Sequence, residues 1–311
     1  MTHQALSLGI DIGGTNTAFG IVSPEGKILI QGKIPTKGYS DIHAYISALH
    51  NACLDICSDK LDQIERIGVG APNGNYYSGN IEFAPNLEWE GIVPLANLLE
   101  TAFRKPVKIS NDANAAAMGE MMFGAAKGMK DFIMLTLGTG VGSGFVANGQ
   151  LIYGHDGFAG ELGHVISVRN GRDCGCGRKG CLETYTSATG IVRTAEIFLI
   201  EKKIDSILRN QSEITSKSIF DAAMQGDELA LEIFKYTGTI LGQTLADAVA
   251  ITSPEAIILF GGLAQAGDLI MKPTQLSMEE NLLRIYKGKI KLIPSALHES
   301  DVAILGAAAI L

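Results

Sequence analysis

The sequence predicts an α/β protein that is divided into two lobes. Its 311 residues suffice for two hydrophobic cores, and 46% of them are hydrophobic while 19% are charged, as in ordinary globular proteins. Short apolar runs typical of buried strands alternate with segments of helical spacing. The same order of strand, glycine-rich turn and strand occurs twice, near Met1 and again at residues 132–152. We expect each lobe to contain one copy of this arrangement.

The first copy begins with the apolar run at residues 5–12, which reads as a buried strand and ends in the turn Gly13-Gly14-Thr15-Asn16-Thr17. Strands at residues 18–22 and 27–35 follow. Because glycines let peptide N–H groups approach an anion, the tip of this hairpin suits phosphate oxygens. Asp11 lies at the same end and could hold Mg2+ through water. An ordinary hairpin with an aspartate in its turn is the alternative.

The second copy, FIMLTLGTGVGSGFVANGQLI, has the same order of strands, with a Gly-Thr-Gly turn and a tight turn at Asn148-Gly149. Two such hairpins that face each other from opposite lobes would hold phosphates from both sides. A third glycine-rich turn, Gly261-Gly262, follows a strand at residues 256–260 and precedes a predicted helix, whose amides could meet a nucleotide. The Walker A motif is absent, and no dinucleotide-binding glycine pattern follows the first strand.

A further candidate site follows the strand predicted at residues 106–110, which leads into Asn111-Asp112 and the helix-forming run ANAAAMGEMMFGAA. A carboxylate at this place can act at the carboxyl end of a strand, where ligands often bind. Asp112 could instead be the N-cap of the helix. Likewise, Asn86, Asn111 and Asn114 are either ligand contacts or turn formers.

A cysteine-rich segment supplies four potential metal ligands, His164, Cys174, Cys176 and Cys181, in the pattern H-x9-C-x-C-x4-C. Thiolates and imidazole are the ligands that Zn2+ prefers, and four of them close a tetrahedral shell. The glycines between the cysteines suit a chain that wraps a metal. Glu161 and Glu183 flank the segment and are not needed as ligands, so a metal would present them to something else. Three buried thiols and an unrelated histidine are the alternative.

Composition argues against several classes of protein. The net charge is −8 and no basic run is present, so binding to nucleic acid or to an anionic membrane has little support. No apolar run reaches the length of a membrane span, and the first residues do not resemble a signal peptide. Zinc-binding thiolates fit a reducing compartment, so a cytoplasmic location is expected. Cys53 and Cys57 are expected to be small core residues of a helix.

The remaining pattern is mainly helical, above all after the cysteine-rich segment. Helices are predicted at residues 39–58, 94–103, 184–202, 215–225, 228–252, 276–286 and 302–311, with strands at 64–70 and 289–294. A small N-terminal lobe is expected to span residues 1–112, completed by the helix at 302–311. The large lobe, which contains the metal-binding loop, is expected to span residues 113–301.

Seven segments lie in order along nearly the whole chain: LGIDIGGTNT, FAPNLEW, NDANAAAMGE, LTLGTGVGSG, GHDGFAGELGH, CGCGRKGCLETYTSATG and FGGLA. Together they resemble the ROK family of sugar kinases, and most closely its bacterial glucokinase branch. The resemblance implies a two-lobed actin/hexokinase-like ATPase fold of ribonuclease H-like duplicated domains with a zinc knuckle. One segment departs from the pattern. GAPNGNYYSGN offers Asn73 and Asn75, where glucokinase-like members often have a longer loop with an aspartate.

The resemblance also implies roles for individual residues. Asp112 is the general base that accepts the proton of the attacking sugar hydroxyl. His164 binds a structural zinc ion through one ring nitrogen and the sugar through the other. The implied sugar-binding residues are Asn86, Asn111, Asp112, Glu161, His164 and Glu183. The implied nucleotide and Mg2+ residues are Asp11, Gly13, Gly14, Thr15, Thr17, Thr139, Gly140, Gly261, Gly262 and Ala264.

The expected activity is therefore that of an ATP:hexose 6-phosphotransferase that uses Mg2+ with ATP and has glucose as its acceptor. N-acetylmannosamine, N-acetylglucosamine, fructose and allose are the alternative acceptors. A sugar-sensing transcriptional regulator is the alternative of another class, but the residues before the first hairpin leave no room for its helix-turn-helix domain. Members of the family commonly form homodimers or homotetramers, so one of these assemblies is expected.

Overall fold

Two five-stranded sheets organise the molecule. The computed structural model describes residues 6–57 and 60–310. In the first sheet the strand order is β3-β2-β1-β4-β7. Its strands are β1 (Leu6–Ile12), β2 (Asn16–Val22), β3 (Ile28–Pro35), β4 (Ile64–Gly70) and β7 (Val107–Ser110). Strands β1, β2 and β3 are antiparallel neighbours, whereas β1, β4 and β7 run parallel.

The second sheet repeats this arrangement with the order β10-β9-β8-β11-β12. It consists of β8 (Phe132–Leu137), β9 (Val141–Ala147), β10 (Gln150–Leu151), β11 (Ala256–Phe260) and β12 (Lys291–Pro294). An antiparallel meander of three strands is again followed by two parallel strands. The duplicated two-lobed fold predicted from the repeated hairpins is thereby confirmed.

Nine helices cover the sheets in the described part of the chain. They are α1 (Ile42–Cys57), α2 (Leu95–Phe103), α3 (Asp112–Phe123), α4 (Glu183–Thr186), α5 (Ala188–Glu201), α6 (Ser216–Met224), α7 (Glu228–Thr252), α8 (Asp268–Asn281) and α9 (Glu299–Ala308). A short ribbon of β5 (Ile81–Glu82) and β6 (Ile92–Val93) brackets the FAPNLEW segment. None of the described helices combines the length and apolar character that a membrane crossing requires.

Each sheet packs its helices around a separate core. Strands β1 and β4 bury their apolar side chains against α1 and α2, whereas β8 and β11 pack against α5, α7 and α8. Cys53 is fully buried in the first of these cores, as predicted. The side chain of Cys57 lies outside the described residues, so the same prediction for it stays open.

Helix α9 crosses from the second sheet back to the first one. A Cβ atom on Gly9 would lie 2.2 Å from the carbonyl oxygen of Ile304, and one on Gly68 would lie 1.9 Å from that of Ala307. Glycines in β1 and β4 thus let the backbone of α9 rest directly on the sheet. The helix also packs against α3, where Gly306 approaches the backbone of Ala115. The exact division of the chain at residues 112 and 113 stays a prediction.

The structure corrects two helix boundaries. The helix predicted at residues 276–286 is Asp268–Asn281 instead, and it contains Pro273 in its interior. Proline normally disfavours a helix interior, but here its ring packs against Gly238 of α7, where a Cβ atom would lie only 2.7 Å from the proline Cγ. Tertiary packing therefore offsets the local penalty. The single helix predicted at residues 184–202 is interrupted at Ser187, whose side chain caps α5.

Replacement of Gly68 by alanine tests the docking of α9. We expect Gly68→Ala to lower the free energy of unfolding by about 3 kcal/mol or more, because the new methyl group overlaps a helix carbonyl. Urea denaturation measures this change. Glu65→Ala, at an exposed position of the same strand, is the control and should alter stability by less than about 0.5 kcal/mol. Equal stability of the two variants would contradict the direct packing.

Candidate active site and metal centre

Two carboxyl groups lie side by side at the carboxyl ends of the parallel strands in the first sheet. Asp11 is in register with Gly70 of β4, and Gly70 is in register with Ser110 of β7, two residues before Asp112. A Cβ atom on Gly70 would lie 3.3 Å from Asp11 Oδ1 and 3.8 Å from Asp112 Cα. Gly70 therefore lies between the Asp11 carboxyl group and the backbone at the start of α3.

Burial sets the electrostatics of this pair. It raises the pKa of Asp11 from 3.8 to about 7, and the neighbouring charge of Asp112 adds to the rise. Burial also raises the pKa of Asp112, although the N–H group of Ala113 donates to Asp112 Oδ1 at 2.8 Å and opposes the shift. Both groups consequently bind a proton more readily than an exposed aspartate does.

Helix α3 begins at this pair, and its N-cap is Asn111. The side-chain oxygen of Asn111 accepts from the N–H groups of Ala113 at 2.8 Å and Asn114 at 3.4 Å. The alternative in which Asp112 is the N-cap is therefore wrong, and its carboxyl group is available for chemistry. Asn111 retains its NH2 group for a ligand. Asn114 is buried on the side of α3 that faces Gly144 in β9.

The first glycine-rich turn connects β1 with β2. A bond from Gly13 N–H to Asn16 O at 3.0 Å closes it, and Gly14 packs against the backbone of Asn86. Thr17 is fully buried and its hydroxyl contacts those of Thr36 and Tyr45 at 2.9 and 2.7 Å. This is a correction to the expected phosphate contact of Thr17, because its hydroxyl supports the hairpin from inside the core. Gly13, Gly14 and Thr15 remain at the tip.

The second glycine-rich turn, between β8 and β9, is held by the start of α5. Ala188 N–H donates to Gly138 O at 2.8 Å, and the Thr189 hydroxyl donates to Thr139 O at 3.0 Å. Two cavities meet at Thr139. The smaller, of about 340 Å3, extends between the lobes and its lining includes Asn86, Gly140 and Glu183.

The larger cavity, of about 630 Å3, lies within the second lobe. Its walls include Gly262 and Leu263, as expected for the third glycine-rich turn. Neither Gly261 nor Ala264 lines it. Gly261 instead has a positive φ of 99°, and a Cβ atom there would lie 2.7 Å from the carbonyl oxygen of Leu137. It therefore supports the turn through close packing.

Sequence reasoning missed the other walls of the larger cavity. They come from α6 and α7, and they include Ser216, Lys217, Phe220 and Phe234. These residues belong to no local motif, because the fold alone brings the two helices to the glycine-rich turn. Their aromatic rings give the cavity an apolar side that suits a planar ring.

The four predicted metal ligands are brought together. Their ligand atoms all lie within 4.8 Å of one another. Cys174 Sγ is 3.7 Å from His164 Nδ1, and Cys176 Sγ is 3.6 Å from Cys181 Sγ. Zinc bonds of about 2.0–2.3 Å in a tetrahedron separate ligand atoms by roughly 3.6–3.8 Å. The donor set and its spacing therefore fit a closed structural zinc site.

The loop that carries these ligands is anchored by Arg172, another residue that sequence reasoning missed. Its guanidinium group donates to the carbonyl oxygens of Thr184 at 2.7 Å and Gly190 at 3.1 Å, and to the hydroxyl of Thr194 at 2.9 Å. It also lies 4.4 Å from the ring centre of Tyr185. The metal-binding loop is thus fixed to α4 and α5, the same elements that hold the second glycine-rich turn.

Glu183 links the metal centre to that turn. Its Oε1 atom is 3.7 Å from His164 Nδ1, and its Oε2 atom accepts from Val141 N–H at 3.3 Å. Burial raises the pKa of Glu161, the charge of His164 opposes this rise, and the charges of Asp112 and Glu183 add to it. The four side chains of Asp112, Glu161, His164 and Glu183 thus lie near enough to interact electrostatically, and their common role in one binding site stays a prediction.

Replacement of Asp11 tests the electrostatics of the buried pair. Between pH 3.8 and about 7 the folded protein holds a proton that the unfolded chain has lost, so stability falls as pH rises through this window. We therefore expect Asp11→Asn to stabilise the protein more at pH 8 than at pH 5, by about 1–3 kcal/mol. Urea denaturation without Mg2+ or nucleotide measures this, with Glu65→Gln as the exposed control. Equal stabilisation at both pH values would refute the raised pKa.

Known proteins resemble the chain over nearly its whole length. A glucokinase of Thermotoga maritima is 36% identical over 98% of this chain and 96% of that protein. The crystal structure of a ROK family glucokinase from Streptomyces griseus, in complex with glucose and AMPPNP, matches with a TM-score of 0.80 and 34% identity over 98% of both chains. A DNA-binding transcriptional dual regulator of Escherichia coli is more distant, with 27% identity over 97% of this chain and 74% of that protein.

A protein-family model matches the chain from residue 7 to residue 311. It includes both glycine-rich hairpins, the buried aspartates and the metal-binding loop. The chain belongs to the ROK family.

Proposed function

We propose that the protein is an ATP-dependent glucokinase, which transfers the γ-phosphate of ATP to the 6-hydroxyl group of glucose. The observation that carries this proposal is the position of Asp112. Its buried carboxyl group lies beside the first phosphate-binding turn and shares a site with Glu161, His164 and Glu183. The similarity to the glucokinases of Thermotoga maritima and Streptomyces griseus supports the same activity.

In this proposal Asp112 is the general base. The 6-hydroxyl oxygen of the sugar attacks the γ-phosphorus, the bond between that phosphorus and the bridging oxygen of ADP breaks, and the hydroxyl proton passes to Asp112. Because burial raises the pKa of this carboxyl group, it accepts a proton more readily than an exposed aspartate does. The remaining catalysis comes from holding the two substrates in line.

The phosphates are held by backbone N–H groups from both lobes. Gly13, Gly14 and Thr15 supply one side, and Thr139 and Gly140 supply the other. Adenosine occupies the cavity of about 630 Å3 beside Gly262, where the aromatic rings of α6 and α7 face it. Asp11 would hold a Mg2+ ion through water, and this ion would neutralise charge on the phosphates.

Six residues bind the hydroxyl groups of the sugar: Asn86, Asn111, Asp112, Glu161, His164 and Glu183. Their carboxylate and amide groups pair with the donors and acceptors of a polyol. His164 faces Cys174 through Nδ1, which leaves Nε2 for the sugar. His164, Cys174, Cys176 and Cys181 would hold a structural zinc ion, which would give the loop a rigid frame and, with four protein ligands, would take no part in phosphoryl transfer.

Three further assignments belong to this proposal. The lobes divide between Asp112 and Ala113, with α9 completing the first lobe. The protein works in the cytoplasm, where its metal-binding thiols stay reduced. It assembles as a homodimer or homotetramer. The apolar side chains of Val165, Ile166 and Ile251 support this assembly, because 44%, 49% and 84% of their surfaces are exposed.

A sugar panel tests the proposed activity. We expect ADP release with Mg-ATP to be fastest with glucose when mannose, fructose, allose, N-acetylglucosamine and N-acetylmannosamine are also offered. Asp112→Asn should retain glucose binding, measured by calorimetry, because Asn111 and not Asp112 caps α3. Its kcat should fall at least about 100-fold. A preference for an N-acetylated sugar would disprove the choice of glucose. Turnover close to normal in Asp112→Asn would disprove the base.

Loss of the metal should weaken sugar binding more than nucleotide binding. Elemental analysis is expected to find about one zinc ion per chain, and much less in Cys181→Ser. Because Glu161, His164 and Glu183 lose their frame, the KM for glucose in this variant should rise about ten-fold or more, while the KM for ATP changes less than about three-fold. Arg169→Ala, at an exposed position of the same loop, is the control. An unchanged KM for glucose in a zinc-free variant would overturn the coupling.

A further inference from the structure

The loop that follows β4, residues 71–80, reaches from the first lobe to the second. It contacts residues 153–157, which belong to the segment that leads from β10 to Glu161. Asn75 Nδ2 donates to Asp156 O at 2.7 Å, and the Tyr77 hydroxyl donates to Gly154 O at 3.1 Å. Two independent hydrogen bonds therefore cross the lobe boundary at this place.

Both the nitrogen and the oxygen of the Asn75 side-chain amide make hydrogen bonds at this contact. Its side-chain oxygen accepts from the N–H groups of Tyr77 at 3.0 Å and Ser78 at 3.2 Å, and only 4% of the residue is exposed. Gly157 of the second lobe has a positive φ of 91°, and a Cβ atom there would lie 2.5 Å from Asn75 Oδ1. The two loops interlock, since the amide of Asn75 fills the place where Gly157 has no side chain.

Stacked aromatic rings reinforce the hydrogen bonds. The rings of Tyr76 and Tyr153 lie 4.3 Å apart and only 12° from parallel, and Tyr77 meets Tyr153 edge-on at 5.9 Å. Burial raises the pKa of Tyr153 to about 12, and the nearby Ser110 hydroxyl partly opposes this rise. Stacked rings of this kind contribute about 0.5–1.5 kcal/mol beyond the apolar area that they bury.

Both sides of this contact continue directly into the proposed sugar site. On the second lobe, Ala159 N–H donates to Tyr153 O at 3.0 Å, and Ser143 binds the carbonyl oxygen of Gly160, so the segment is a closed loop that ends at Glu161. On the first lobe, Ala71 N–H donates to Ser110 O at 3.0 Å, two residues before Asp112. If either loop moves, a residue of the proposed sugar site is therefore expected to move with it.

We propose that Asn75 and Tyr76 are positioning residues for the sugar site. Their contacts join the two lobes beside the proposed sugar site and favour the arrangement in which Glu161 and Asp112 face the same sugar. This inference rests on the proposed glucokinase function and adds two residues that lie outside the predicted sugar-binding set. Contacts that favour this arrangement lower the cost of ordering the site when the sugar binds.

Steady-state kinetics with glucose and ATP test the proposal. For Tyr76→Ala and Asn75→Asp we expect the KM for glucose to rise about ten-fold or more, with kcat at saturating glucose and the KM for ATP changed less than about three-fold. Asn75→Asp keeps the oxygen that accepts from Tyr77 and Ser78 but loses the donor to Asp156 O. Ser78→Ala, at an exposed position of the same loop, removes hydrogen bonds to Glu82 and from Asn80 N–H that lie within the first lobe, and is the control, with a KM for glucose close to that of the wild type.

Three outcomes would overturn the proposal. They are an unchanged KM for glucose in folded Tyr76→Ala and Asn75→Asp, an equal rise in Ser78→Ala, and a loss of kcat without a rise in KM, which points to a merely structural role. If the alanine variant does not fold, Tyr76→Leu takes its place. A wild-type protein that binds glucose but does not phosphorylate it would disprove the proposed function alone. Glucose affinities of the same variants, measured by calorimetry, would then decide the positioning role.

Discussion

The burial of two carboxyl groups side by side is the constraint around which the cleft is built. Asp11 and Asp112 lie where the parallel strands of the first sheet end, and Gly70 lies between them. Removal from water raises the pKa of both groups, which makes their ionised forms costly to the folded state. Such a cost is typical of a site kept for chemistry at the expense of stability. The sheets and α3 supply the rigidity that holds the pair together.

In the second lobe, the shape of the metal-binding loop also depends on a few specific contacts. Short loops rich in glycine and charge do not bury enough apolar surface to fix their own shape. Around one bound ion the four clustered ligands would replace the missing core, and Arg172 ties the loop to the helices beneath it. Glu183 then connects this loop to the second glycine-rich turn through Val141. The parts of the second lobe proposed to bind sugar and phosphate are consequently in direct contact.

Features that depend on short stretches of sequence could be predicted, and features that depend on tertiary packing could not. The two hairpins and the four metal ligands are marked by local spacing, and the structure contains both hairpins and clusters the four ligands as expected, whereas the role of Asp112 stays a prediction. Phe220 and Phe234 carry no local signal, because only the packing of α6 and α7 places them in a cavity. Thr17 was misjudged since a threonine in a glycine-rich turn can point either way, and its hydroxyl points into the core. The start of α8 was missed because contacts with α7 offset the penalty of Pro273.

The position of α9 has a consequence for the order in which the protein is made. This helix follows β1 by about 290 residues, yet it covers the glycine face of β1 and β4 that forms one side of the first lobe. During synthesis, the first sheet therefore emerges from the ribosome long before its covering helix exists. The second sheet is complete once β12 has been made, and the N-terminal lobe, which waits for α9, is therefore the last to be completed. The buried aspartates reach their final surroundings only at that step.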